Sequence, residues 1–181
     1  MVPRVRQAAF AAALALTATG APPAAPTAPP SAPAPTLVGA PAPAIHAKPI
    51  GGSGPTTLAA TRGQVTGVEF WASYCPPCKR SFPRYEELVR DHHGEVAVLA
   101  IDVDPPDDLT DAQVMQLVEQ YGGSFAVLRD LDGAAATAYG ASPIPAAFII
   151  DKTGVVRHVH RGYGLDEPQK VAAEVSALAA R

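Results

Sequence analysis

The chain has no third cysteine to pair with either of its two, Cys75 and Cys78. Positive charge is scarce as well, with 14 lysines and arginines against 17 acidic residues and a net charge of -3. No basic footprint is available to neutralise nucleic-acid phosphates, so no nucleic-acid partner is expected, and anionic lipid headgroups are poor partners for the same reason. The longest apolar run, Ala8 to Ala18, is too short to span a bilayer comfortably. No cysteine follows that run, which excludes a lipid-modified cysteine, and no internal repeat divides the chain.

What is present falls into three parts. Arg4 and Arg6 precede the Ala8 to Ala18 run, which is bounded by Thr19, Gly20 and Ala21; residues 1–20 therefore read as a signal peptide, cleaved near Gly20 or Ala25, or as a short membrane anchor. The expectation is an exported protein: periplasmic, secreted or tethered to the outer face of the cytoplasmic membrane. Nine of the 20 prolines lie between Pro22 and Pro43, and residues 21–36, almost entirely Ala, Pro, Thr and Ser, make an extended linker. Residues 37–181 are long enough for one domain with a full core.

Within that domain the strand-length apolar runs are Val65–Trp71, Val96–Val103, Ala147–Asp151 and Val155–Val159. After the cysteines, Cys78, Phe82, Tyr85 and Val89 recur at spacings of four, three and four, one face of a helix that Pro83 should kink. Thr110-Asp111-Ala112-Gln113 is a capping box opening a second helix, which Gly122-Gly123 ends. Gly133–Tyr139 reads as a short third helix and Glu167–Ala180 as a last one, with Asp151-Lys152-Thr153-Gly154 as a hairpin turn between two strands. The pattern is α/β, a central mixed sheet flanked by helices. Asp102 to Asp111 is acidic but lacks calcium-loop spacing and reads as a surface turn.

Three chemistries compete for Cys75 and Cys78. A structural staple closing so short a loop removes little unfolded-state entropy. A zinc site needs further ligands, for which His158 and His160, sharing one face of a strand, are the best pair; their plain alternative is an exposed polar strand face. A redox couple explains the surroundings too. With Cys75 capping the helix and Pro76 at its first position, the Cys75 sulfur faces the helix dipole, which favours thiolate, while Cys78 lies shielded one turn inside. Pro77 withholds an N–H from that sulfur and should make the couple more reducing.

The segment Phe70-Trp71-Ala72-Ser73-Tyr74-Cys75-Pro76-Pro77-Cys78-Lys79 resembles the active-site segment of the thioredoxin superfamily, specifically its TlpA/ResA-type exported thiol-disulfide oxidoreductases. Gly39 to Pro43, Arg62 to Val65, and Tyr139-Gly140 through Ile144-Pro145 to Asp151 extend the likeness over nearly all of residues 37–181. The resemblance implies a thioredoxin-like fold and a protein-disulfide reductase whose only redox group is the Cys75–Cys78 disulfide, with no other cofactor and no metal. It implies a cis-proline at Pro145, for which Pro143 is the nearby rival. It further implies a substrate-binding surface formed by the Ile144 backbone with Trp71, Tyr74, Pro76 and Pro77. Glu69 matches the position of a buried acid that takes the proton of Cys78.

Implied partners are extracytoplasmic clients bearing disulfides or thiols, such as apocytochrome c in cytochrome c maturation or copper-site proteins, with a membrane thiol transporter as electron donor. The sequence departs from the family at Ser81, where some members carry a glutamate, at Ala146 and Ala147, and at Tyr74 in place of tryptophan. Three rivals remain: a net disulfide oxidase using the same couple, a Cys/His copper or zinc chaperone, and a peroxidase. The last lacks the threonine expected at Ala72.

Overall fold

The structure, a computed structural model, describes residues 36–162, 164 and 167–181, all within the unit Pro33–Arg181. The expected signal or anchor segment and, apart from Thr36, the linker lie outside the described residues. No helix among the described residues is long and apolar enough to cross a membrane.

The elements in chain order are β1 (Lys48–Gly51), β2 (Val65–Trp71), α1 (Cys78–Asp91), β3 (Val96–Asp102), α2 (Asp111–Gln120), β4 (Ala126–Arg129), α3 (Ala134–Tyr139), β5 (Ala146–Ile150), β6 (Val156–Arg161) and α4 (Glu167–Ala179). They form one mixed six-stranded sheet in the order β1-β4-β3-β2-β5-β6. The four foreseen strands are present, and β2 and β3 are buried along their whole length, as continuous apolar runs covered on both faces should be. They pair in parallel, Val65 opposite Val96 through Trp71 opposite Asp102, and β4 extends the parallel set with Arg129 opposite Asp102. β5 returns antiparallel on the other side of β2, Phe70 opposite Ala146. The carboxyl ends of β2, β3 and β4 and the amino end of β5 therefore meet at one edge of the sheet, where the cysteines lie.

Two strands escaped the periodicity. β4 has only four residues, too few to show a period, and β1 carries Pro49, tolerated because β1 is an edge strand. The foreseen helices all form. The Thr110 capping box closes in both directions, and α1 continues through Pro83, which removes one donor without ending the helix. At the β5–β6 hairpin, Gly154 at φ +83° supplies the left-handed residue, and Asp151 ties the turn through Thr153 and the Val155 N–H.

Strand alternation divides the interior in two. Val65 and Trp71 of β2 face α1, α2 and α4, packing with Phe82, Val118 and Val175. Val68 and Phe70 face α3 and the segment before β1, where Phe70, Tyr139 and Phe148 meet with centroids 4.8 to 5.8 Å apart. Tyr139 donates its hydroxyl to the Pro43 carbonyl at 2.8 Å, pinning that segment to the second core.

The acidic stretch expected to be a surface turn is not one at its start. Asp102 and Asp104 are 1% and 3% exposed, while the tip, Pro105 to Asp108, and Thr110 are at the surface. β4 is what the sequence reading lacked: it brings Arg129 alongside Asp102, whose carboxylate then has a buried cation to face.

Candidate active site

Ala72, Ser73 and Tyr74 carry the chain from the end of β2 to Cys75. Cys75 N–H donates to the Ala72 carbonyl at 3.1 Å, and Cys78 N–H donates to the Cys75 carbonyl at 3.1 Å while lying 3.3 Å from Cys75 Sγ. The two cysteines are joined as a disulfide, their Cα atoms 5.4 Å apart. The expected helix start is corrected: α1 begins at Cys78 with Pro77 as its cap, two residues later than a helix capped by Cys75. Pro76 and Pro77 have no N–H, so Cys78 is the first residue of the turn able to donate, and its N–H reaches the Cys75 sulfur directly. The electrostatic sense is unchanged, since a backbone donor aimed at that sulfur favours the thiolate. Cys75 retains a sliver of surface, 5%, and Cys78 has none.

Beneath the pair, Glu69 sits on the α1 side of β2, almost wholly buried. Burial pushes its carboxyl up to about 8, against a smaller downward pull from the Ser81 hydroxyl. Ser81 Oγ contacts Glu69 Oε1 and lies 2.8 Å from the Cys78 carbonyl. A hydroxyl has a single hydrogen, so both contacts are made together when protonated Glu69 donates to Ser81 and Ser81 donates to Cys78. Ser81, the departure from the family pattern, thus joins the buried acid to the residue that carries the inner sulfur. Glu69 Oε2 has no partner among the described residues, and Glu69 borders a small cavity shared with Pro145, Ala147 and His160.

The other expected site residues are distributed as follows. Pro145 is buried, and the Ile144–Pro145 bond is cis; so is Ser142–Pro143, which makes both sequence candidates cis. Since Phe70 pairs with Ala146, Pro145 stands beside the end of β2 that leads to Cys75. Tyr74 is 64% exposed, Pro76 is exposed, and Pro77 and Ile144 are half-buried, so these four can meet a docked chain. Trp71 cannot: it is fully buried, packed edge-on against Phe82 and Tyr121 at 5.0 and 6.3 Å, and is a core residue below the pair rather than part of a substrate surface. The Lys79 ammonium lies 5.0 Å above the Tyr121 ring.

His158 and His160 share one strand face, but that face is not an open one. His160 is largely covered by α4, with one ring nitrogen on Glu167 and the other 2.6 Å from Glu174, and His158 also faces Glu174, at 3.2 Å. Both His160 ring nitrogens and Nδ1 of His158 are thus engaged by carboxylates of α4.

A buried polar group that the sequence reading missed underlies the loop before Cys75. Ser73 donates its N–H to Asp104 Oδ2 and its hydroxyl to Asp104 Oδ1, both at 2.8 Å. Asp104 N–H reaches Asp102 Oδ1 at 3.4 Å, and Arg129 Nε donates to Asp102 Oδ2 at 2.9 Å. Burial pushes the Asp102 carboxyl up to about 7, helped by neighbouring Asp104 and opposed by Arg129. Asp-x-Asp at the end of a strand parallel to the one feeding the cysteines was the available signal.

Comparison with known proteins agrees with this geometry. The model of the AhpC/TSA family matches residues 38–159. The thiol-disulfide oxidoreductase ResA of Halalkalibacterium halodurans is 34% identical over 101 residues, 55% of each chain. This chain thus spans about half the length of the curated relatives it matches. A crystal structure from Chlorobium tepidum assigned as a thiol:disulfide interchange protein, DsbE, is 26% identical with a TM-score of 0.68, covering 78% of this chain and 97% of its own. A thioredoxin family protein of Chlorobium tepidum TLS, 21% identical, shares the fold at a TM-score of 0.63 over 77% of this chain and 95% of its own. The matched span takes in the strand of Glu69, the Cys75–Cys78 turn and the cis-Pro145 loop, and the chain belongs to the AhpC/TSA family with a thioredoxin-like fold.

Proposed function

We propose that this protein is an exported thiol-disulfide oxidoreductase that reduces or exchanges disulfides in extracytoplasmic client proteins, cycling Cys75 and Cys78 between disulfide and dithiol. The observation that carries the reading is the asymmetry of the pair. Cys75 Sγ is met by a backbone N–H and keeps a contact with solvent, whereas Cys78 is sealed above an acid held neutral by burial.

In the reducing half-cycle a donor thiolate attacks Cys75 Sγ, and the disulfide breaks. Cys78 leaves as a thiolate and takes the proton of Glu69; a second donor thiolate then attacks the donor sulfur, and Cys75 departs as a thiolate. In the client half-cycle Cys75 attacks a client disulfide and expels one client thiolate. Cys78 returns its proton to Glu69, attacks Cys75 Sγ and releases the second client thiolate. Two electrons pass from donor to client, and the inner proton shuttles between Glu69 and Cys78.

Half-buried Ile144, which precedes cis-Pro145, and exposed Tyr74, which precedes Cys75, suit an extended client segment lying across the disulfide. The couple requires no metal or organic cofactor. By likeness to ResA, the clients are apocytochromes c or copper-site proteins, and a membrane thiol transporter supplies the electrons. The metal-chaperone alternative is less favoured because α4 already occupies His158 and His160. The oxidase alternative is separated by the reduction potential: well below about -200 mV for a reductant, near about -120 mV for an oxidant. Replacing Cys78 by Ala and identifying proteins trapped on Cys75 in the native host tests the activity and names the clients; no trapped partner from the exported fraction would overturn it.

A further inference from the structure

The Ser73 loop is held by more than its own turn. Both oxygens of one carboxylate, Asp104, are spent on Ser73, one on its N–H and one on its hydroxyl. Asp104 is 3% exposed and belongs to a different strand ending, the segment just after β3. Val103 N–H donates to the Trp71 carbonyl at 2.9 Å, so two successive residues after β3 hold the chain on its way from β2 to Cys75. Ser73 and Cys75 are two residues apart, so their Cα atoms are at most about 7.6 Å from each other. In an interior with little water, a carboxylate bonded to the loop two residues before Cys75 opposes a second negative charge forming on the Cys75 sulfur.

We propose that Asp104 is a positioning residue for Cys75: it clamps Ser73 through both carboxylate oxygens, and its buried charge makes the Cys75–Cys78 couple more reducing. The inference rests on the redox reading of the pair given above. Asp102, at the end of β3, bears directly on Asp104, and behind it lie Arg129 on β4, Asp111 at the start of α2 and Lys48 on β1. Arg129 bonds to both Asp102 and Asp111, and Lys48 pairs with Asp111. Arg129 bonds Asp102 through its Nε, and Asp104 directs both carboxylate oxygens to Ser73 instead. Asp130, next along from Arg129, spends its oxygens on the N–H groups of Ala135 and Ala136.

The chemistry of the test is balanced exchange with glutathione. Two glutathione thiols give two electrons and two protons to the protein disulfide, leaving one oxidised glutathione and the dithiol. Asp104→Asn keeps an acceptor for the Ser73 N–H and an amide able to donate to its hydroxyl, while removing the charge. The thiolate form should gain, shifting the equilibrium about tenfold toward the dithiol, which is about 30 mV more oxidising for a two-electron couple. Ser73→Ala breaks one clamp bond but leaves the charge, and should stay within about twofold of the wild type or move the other way.

Mere loosening of the loop would move both variants alike. Asp102→Asn is the second charge variant, needed if Asp104→Asn fails to fold; it leaves Arg129 with one carboxylate fewer and should shift the equilibrium in the same direction as Asp104→Asn. Equilibria are read on the full chain by trapping thiols and weighing the products. The proposal is overturned if Asp104→Asn stays within about twofold of the wild type, if the charge variants shift toward disulfide, or if Ser73→Ala matches Asp104→Asn. A wild-type protein that does not exchange with glutathione at all would instead remove the redox reading itself.

Discussion

Replacing Glu69 by Gln should change how the oxidised protein responds to pH far more than how stable it is in acid. The carboxyl is displaced from its ordinary 4.5 to about 8, chiefly because burial penalises its charged form. A carboxyl held above its unfolded value binds its proton more tightly in the folded state. Its contribution is therefore fully present below about pH 4.5 and is lost as pH rises toward 8. Each pH unit in that window costs about 1.4 kcal/mol, so the whole span costs up to about 5 kcal/mol, a large share of the 5–15 kcal/mol that holds a typical domain together.

Gln is neutral throughout and can still hydrogen-bond Ser81. At pH 5 the two proteins should unfold in urea within about 1 kcal/mol of each other; at pH 9 the Gln variant should be several kcal/mol more stable. The single tryptophan, Trp71, is buried and reports the transition. Asp102, which also titrates high, is present in both proteins and cancels from the difference. Equal pH slopes for the two proteins would refute the reasoning, because they would mean Glu69 is not held neutral by its surroundings.

Arg129→Ala strands the Asp102 carboxylate without its cation, and should cost about 3–5 kcal/mol at pH 8. The loss should be smaller at pH 5, where Asp102 can protonate, and chemical denaturation at the two pH values reads the difference. Pro77→His supplies a backbone donor next to the one Cys78 already aims at the Cys75 sulfur, and adds a second nitrogen-bearing group nearby. The reduction potential should rise by at least about 30 mV, tenfold in the equilibrium constant; an unchanged or lower value would contradict the donor argument.

The parts of the fold legible in the sequence were those written in local pattern. Val65–Trp71 is apolar along its length because both its faces are covered, and the Thr110–Gln113 box states its helix start in four residues. The cysteine pair stood out by its own spacing, whereas Glu69 and Pro145 were singled out only by the family resemblance; the structure finds Glu69 buried and the Ile144–Pro145 bond cis. What stayed hidden depended on strands meeting across the sheet. Asp102 looked like a surface acid because its partner, Arg129, ends a four-residue strand with no visible period. His160 looked like an open polar position because Glu167 and Glu174 lie on a helix that only the folded chain lays over it. The family motif places Trp71 near the cysteines and so implies a substrate-facing side chain. Strand alternation turns its side chain inward, away from any substrate.

The account stands on Cys75 being the exposed, donor-stabilised sulfur and Cys78 the sheltered one. Its most direct test is the rate at which each thiol of the fully reduced protein is alkylated by iodoacetamide as a function of pH, with the two sites resolved by peptide mass. Cys75 should react first, with a midpoint well below the ordinary thiol value of about 8.5, and Cys78 only slowly across the range. Two thiols reacting at equal rates with midpoints near about 8.5 would contradict it.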